Sequence, residues 1–115
     1  MKQEEILQLI PKSEVYIQYM LELLLKIPRA EKFSIGTEYK NSMYRMLESI
    51  MYLNKIKNIE YLNKIDVELN LQRIYLRILK KNKWIDIKKF NVAMDKIMEI
   101  GKILRRINKI LCQKQ

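Results

Sequence analysis

The chain has 115 residues, 49% of them hydrophobic, so it is the size of one ordinary domain with material for a core. It has two glycines and two prolines, too few for a fold of many turns and strands, and no histidine, which excludes Ser–His and Cys–His catalysis. Its single cysteine, Cys112, excludes an internal disulfide and leaves zinc without its usual ligands, while a formal net charge of +10 suggests an anionic partner.

Residues 1–12 read as a lead-in. Met1-Lys2-Gln3-Glu4-Glu5 carries acids where a signal peptide has a basic start, and no apolar run reaches the roughly 18 residues of a membrane span. The expectation is a cytoplasmic protein with no membrane partner. Glu4 to Ile10 form a short apolar-tipped segment, either a helical turn packed on the domain or a mobile arm, ended by Pro11. Ser13 suits an N-cap, and Tyr16, Met20, Leu23 and Ile27 mark the core side of a first helix over about 14–27, stopped by Pro28. A short link follows, with Ser34 as the cap of a second helix over about 35–54. Its stripe is Tyr39, Met43, Met46, Ile50 and Leu53, at spacings of four and three. The break near Asn54–Asn58 is marked only by asparagines and lysines.

The third helix, about 59–81, carries two apolar stripes. Leu62, Ile65, Leu69, Leu76 and Leu79 form one; Val67, Leu71, Ile74 and Ile78 form another, about 160° away. One bundle needs a single stripe. The second stripe therefore predicts either a central helix in the chain's own fold or an interface with another copy. The segment Asn82-Lys83-Trp84-Ile85 turns the chain into the last helix, about 86–111. There Asp86 is the expected cap, with Ile85 and Phe90 spaced as a hydrophobic staple. Trp84 reads as a cover for one end of the domain or as a platform for a base. Phe90, Met94, Ile97, Gly101 and Leu104 lie on one side of this helix, widened by Ala93, Ile100, Ile107 and Leu111. The fold expected is an all-α, up-down-up-down four-helix bundle.

The charge is not spread evenly. Residues 1–68 hold ten basic and ten acidic side chains, whereas residues 69–115 hold thirteen and three. Lys88, Lys102, Arg105, Arg106 and Lys109 share the outer face of the last helix. Arg73, Arg77, Lys80 and Lys81 lie along the third helix and its end. This density suits phosphate contacts with RNA or DNA, of weak sequence preference and strong salt dependence. Arg73 and Arg77 equally suit structural pairing with Asp66, Asp95 or Glu99. A second class of function is a structural or protein-binding bundle whose basic face meets an acidic protein. No paired carboxylates, phosphate loop or metal cluster supports an enzyme or a cofactor.

Three stretches resemble one family. Ile27-Pro28-Arg29-Ala30-Glu31-Lys32-Phe33-Ser34-Ile35-Gly36 is similar to the interhelix link of the accessory variability determinants of diversity-generating retroelements. Asp66-x-x-Leu69 with Arg73-x-x-Leu76-Arg77-x-Leu79 resembles the third helix of that family. Glu99-Ile100-Gly101-Lys102-Ile103-Leu104 resembles its Glu-hydrophobic-Gly-basic signature in the fourth. Two positions depart from the pattern: Gln72 stands where leucine is usual, and Arg105 and Arg106 follow Leu104 where small residues are common. The resemblance implies a non-catalytic accessory protein forming a ring-like homo-oligomer, a pentamer in that family. It implies binding to a reverse transcriptase and to nucleic acid in mutagenic copying of template RNA into cDNA.

Overall fold

Ile6, Leu9, Ser13, Tyr16, Met20 and Leu23 follow one another at spacings of three and four, a single helical stripe that passes through Pro11 without losing phase. In the computed structural model of the chain, which describes the backbone of residues 2–113 and the side chains of residues 5–112, all six are buried. They lie on one helix, α1 (Lys2–Leu24). The separate lead-in and the Ser13 cap expected from the sequence are thus corrected; residue 1 of that lead-in, like residues 114–115, lies outside the described residues. Pro11 sits exposed on the outer side of α1. Its missing N–H and ring cost about 3 kcal/mol in a helix interior, which full burial of Ile6 and Leu9 offsets at about 1.5–3 kcal/mol each. Ser13 is buried as part of the stripe, and its Oγ has no hydrogen-bond partner.

Pro28 then starts a single turn, α2 (Arg29–Lys32), where the sequence reads only as a link. The Thr37 hydroxyl ties it to the next helix by donating to the Lys32 carbonyl at 3.0 Å. Ser34 occupies the cap position of α3 (Ile35–Ile56) but makes no capping bond, a second correction. Its hydroxyl instead donates back to the Glu31 carbonyl at 3.3 Å. Gly36 eases the close approach of this turn. A Cβ at this position would stand 3.2 Å from the Glu31 carbonyl oxygen.

The break between the next helices falls where the asparagines mark it. Lys57 takes a left-handed conformation, φ 60°, and its Nζ donates to the Asn54 carbonyl at 2.7 Å. Asn58 caps α4 (Ile59–Lys81) by accepting from the Glu60 N–H at 2.8 Å. At the far end of α4, Lys83 is also left-handed, at φ 61°. Its N–H bonds the Lys80 carbonyl, and the Trp84 N–H bonds the Leu79 carbonyl, the Schellman pattern. Asp86 then caps α5 (Ile87–Gln113), its carboxylate accepting from the Lys89 N–H at 2.8 Å. A non-glycine residue at φ > 0 is penalised by Cβ crowding. Lys83→Gly is therefore expected to stabilise the fold by about 0.5–1 kcal/mol in a denaturant melt. Lys57→Gly gains less, because it forfeits the bond to Asn54.

α1 packs on α3 and α5, and α4 packs on the same two helices, in a rod of 46 × 23 × 19 Å. Neighbours are antiparallel: along α1 and α5 the contacting pairs run Glu5–Arg106, Lys12–Glu99 and Tyr19–Lys89, one number rising as the other falls. Tyr39, Met43, Met46, Ile50 and Leu53 of α3 are fully buried, as are Ile65, Leu69, Leu76 and Leu79 of α4. The core also encloses a polar chain. Tyr39 donates to Tyr16 (2.7 Å), Tyr16 to Gln72 Oε1 (2.7 Å), and Gln72 Nε2 to Ser42 Oγ (3.1 Å). Ser42 donates to Glu68 Oε1 (2.8 Å), and Arg45 Nε holds Glu68 Oε2 at 2.9 Å. The bonds from Tyr39 through Tyr16, Gln72 and Ser42 run in one direction, toward the Glu68 carboxylate, while a second Gln72 N–H reaches Met46 Sδ at 3.8 Å.

Candidate nucleic-acid interface

α4 has three faces. Its core stripe is buried. The second stripe points outward, with Val67 65%, Ile74 46% and Ile78 39% exposed and Leu71 half-buried, so α4 is not the central helix of its own bundle. Between the two runs a basic edge turned toward α5.

The geometry sorts the predicted cations into three groups. Arg73, Arg105 and Lys80 lie at successive places along the α4/α5 groove. Arg73 Nη2 and Arg105 Nη1 lie 3.1 and 3.7 Å from the point where a Cβ on Gly101 would stand. Lys80 Nζ sits 4.5 Å from the centroid of the Phe90 ring, a cation–π contact that bridges the two helices. Lys102 and Lys109 are exposed on α5, Arg77 and Lys81 on α4, and Lys88 near the start of α5. Arg106 belongs elsewhere. Its Nε pairs with Glu5 Oε2 at 3.0 Å, so it faces α1 and fastens the two ends of the chain. Antiparallel packing decides this, a contact across 101 residues that helical periodicity alone does not reveal.

The structural pairing of Arg73 and Arg77 with Asp66, Asp95 or Glu99 is not formed. Arg73 is half-buried and donates to Asn70 Oδ1; Arg77 is exposed. Glu99 pairs instead with Lys12 at 2.9 Å, and that ammonium holds its carboxyl below the ordinary range. Among the described residues the ion pairs are Lys12–Glu99, Arg45–Glu68 and Arg106–Glu5, which leaves the α4/α5 edge uncompensated.

At one end of the bundle Lys80 is joined by Lys26, Lys83 and Lys89, which the charge pattern did not single out. A cleft of about 580 Å³ is lined by Lys26, Lys80, Lys83, Lys89 and Trp84, with Asp86 the one acid among them. Lys26 lies some sixty residues from the others, and only the antiparallel register of α1 and α5 brings it there. Trp84 is half-buried against the core, so it covers the bundle end and also lines this cleft. A second hollow, between α3 and α4, holds the stacked rings of Tyr52 and Tyr61, with Glu48 and Glu68 opposing Arg45 and Lys64. Its mixed charge does not select an anion.

Among the described residues no helix is long and apolar enough to cross a membrane. Fold and surface together define a small, basic antiparallel four-helix bundle that presents its charge on a helix–helix edge. The bAvd-like family model matches residues 6–111, and the chain belongs to that family, the relatives of the accessory variability determinant of Bordetella. No curated protein matches it in direct sequence comparison. Both glycines of the motifs quoted above now have physical reasons. Gly36 leaves room for the Glu31 carbonyl, and Gly101 leaves room for the Arg73 guanidinium. Gln72, the departure from the family pattern, is the central link of the buried polar chain.

Proposed function

We propose that the protein is a non-catalytic accessory of a diversity-generating retroelement. In this reading it binds the element's reverse transcriptase and its template RNA or cDNA during mutagenic retrohoming, and it works as a ring-like homo-oligomer, a pentamer by family likeness. Membership of the bAvd-like family over residues 6–111 carries this reading. The uncompensated edge of Arg73, Arg77, Lys80, Lys102, Arg105 and Lys109 supports the nucleic-acid part, since unpaired cations gain most from phosphate and from counterion release. Val67, Leu71, Ile74 and Ile78 support assembly, being apolar, in phase and left outside the monomer's core.

Gel shifts with single-stranded RNA and duplex DNA over a salt series test the binding. The expected result is binding that persists at physiological salt, with log K falling linearly with log salt. Light scattering tests assembly: a 14 kDa species at micromolar concentration would end the oligomer reading. Leu71→Asp with Ile74→Asp is expected to give smaller species of undiminished helicity, because neither side chain is fully enclosed by the bundle. Co-purification with a co-expressed retroelement reverse transcriptase tests the remaining partner.

A further inference from the structure

Between α4 and α5 lies a hollow of about 190 Å³ whose wall includes Arg73, Gly101 and Arg105. The two guanidinium groups converge on the space a Gly101 side chain would fill, at 3.1 and 3.7 Å from its Cβ position. Like charges this close repel, and the half-burial of Arg73 weakens the screening by water. Among the described residues no carboxylate lies within ion-pairing distance of either arginine. Asp66 lines the same hollow but ion-pairs with neither arginine, and Asn70, which orients the Arg73 fork, is neutral. Asn63 and Asn108 add carboxamides to the wall. Planar guanidinium forks suit the oxygens of a phosphate, which they can hold by paired N–H bonds, whereas lysines act as point charges.

We infer that this hollow is an oxyanion site, in which Arg73 and Arg105 together clamp one phosphate group beside Gly101. For the source of that phosphate, a polynucleotide backbone, the inference rests on the nucleic-acid reading above. The lysines of the edge hold a strand loosely, and the arginine pair fixes one phosphate at a defined place along the groove. Gly101 keeps this ground open, since a Cβ there would stand 3.1 Å from Arg73 Nη2 and press on the end of that fork.

The chain's six arginines, Arg29, Arg45, Arg73, Arg77, Arg105 and Arg106, provide an internal control. Their Nε–H resonances can be followed by NMR at low salt during titration with inorganic pyrophosphate, then with an oligoribonucleotide. The expected result is a saturating shift shared by Arg73 and Arg105, while exposed Arg29 and the Glu68-paired Arg45 move little. Gly101→Ala is expected to weaken the response about tenfold while the melting temperature holds or rises, since alanine is the better helix former. Arg105→Gln, at an exposed position, should show the same loss with unchanged helicity. A pyrophosphate response without oligonucleotide binding would uphold the site and remove the nucleic-acid reading. Oligonucleotide binding with Arg73 and Arg105 silent would overturn the site and leave that reading standing. So would a pyrophosphate response spread evenly over all six arginines, or undiminished binding in both variants. No response to either ligand would overturn both.

Discussion

Replacing Lys102, Arg105 and Lys109 together by glutamate is expected to abolish binding to RNA and DNA while leaving the bundle folded. All three are exposed on α5, and none is held in an ion pair. The core side of the same helix, with Ala93, Ile97, Ile100 and Leu104, is untouched. Each phosphate contact removed should flatten the slope of log K against log salt by about 0.9 for duplex DNA or about 0.7 for a single strand. Reversal of three charges should lower affinity on the order of 100-fold at physiological salt. Arg106 is left out of the set because its Glu5 contact makes it a fastening between α1 and α5; Arg106→Gln should alter binding little. Gel shifts over a salt series, with circular dichroism as the folding control, measure this. Unchanged affinity would move the site to the lysine-lined cleft at the bundle end or leave the charge as a solvated surface.

Gln72→Leu, which installs the residue usual in the family, is expected to destabilise this chain by about 2 kcal/mol, because it leaves the buried Tyr16 hydroxyl without an acceptor. For a domain of this size the melting temperature should fall by about 8 °C. Adding Tyr16→Phe and Tyr39→Phe should restore most of the loss, since it removes the two buried hydroxyls left short of an acceptor while Ser42 keeps its bond to Glu68. The expected signature is thus non-additivity: the triple variant is more stable than Gln72→Leu alone, measured by thermal or denaturant melts. The phenols also give a pH signature. Burial pushes both well above the ordinary phenol range, and for Tyr16 the neighbouring Tyr39 adds to the effect. Above about pH 10 the unfolded chain loses these protons and the folded chain keeps them, so stability should fall as pH rises. The triple variant should resist alkaline unfolding better.

Much of the fold was readable because its signals are local. The spacing of Tyr39, Met43, Met46, Ile50 and Leu53 identified a face that is wholly buried, Asp86 caps the helix it precedes, and the break falls at the asparagines that mark it. The errors came where local and tertiary preferences disagree. Pro11 reads as a terminator, yet burial of Ile6 and Leu9 carries the helix through it. Ser34 has the chemistry of a cap, but its hydroxyl is taken by Glu31. Of the site, the cations themselves could be picked from the charge pattern, but not their grouping. That Arg106 meets Glu5 and that Arg73 reaches Gly101 follow from interhelical register, which a single sequence does not display. The buried role of Gln72 was likewise hidden, because its partners come from two other helices.

The three-faced character of α4 has a consequence for how strongly the protein can hold a long polymer. Its outward apolar stripe and its basic edge are rigidly coupled, being parts of one helix. Any association through Leu71, Ile74 and Ile78 therefore repeats the cationic groove at a fixed spacing from copy to copy. On the proposed function a lone protomer would offer a few phosphate contacts, whereas an array would offer the same contacts at high effective concentration along a single strand. Avidity, rather than the strength of any one groove, then sets the lifetime of the complex. It should vanish for oligonucleotides too short to reach from one groove to the next.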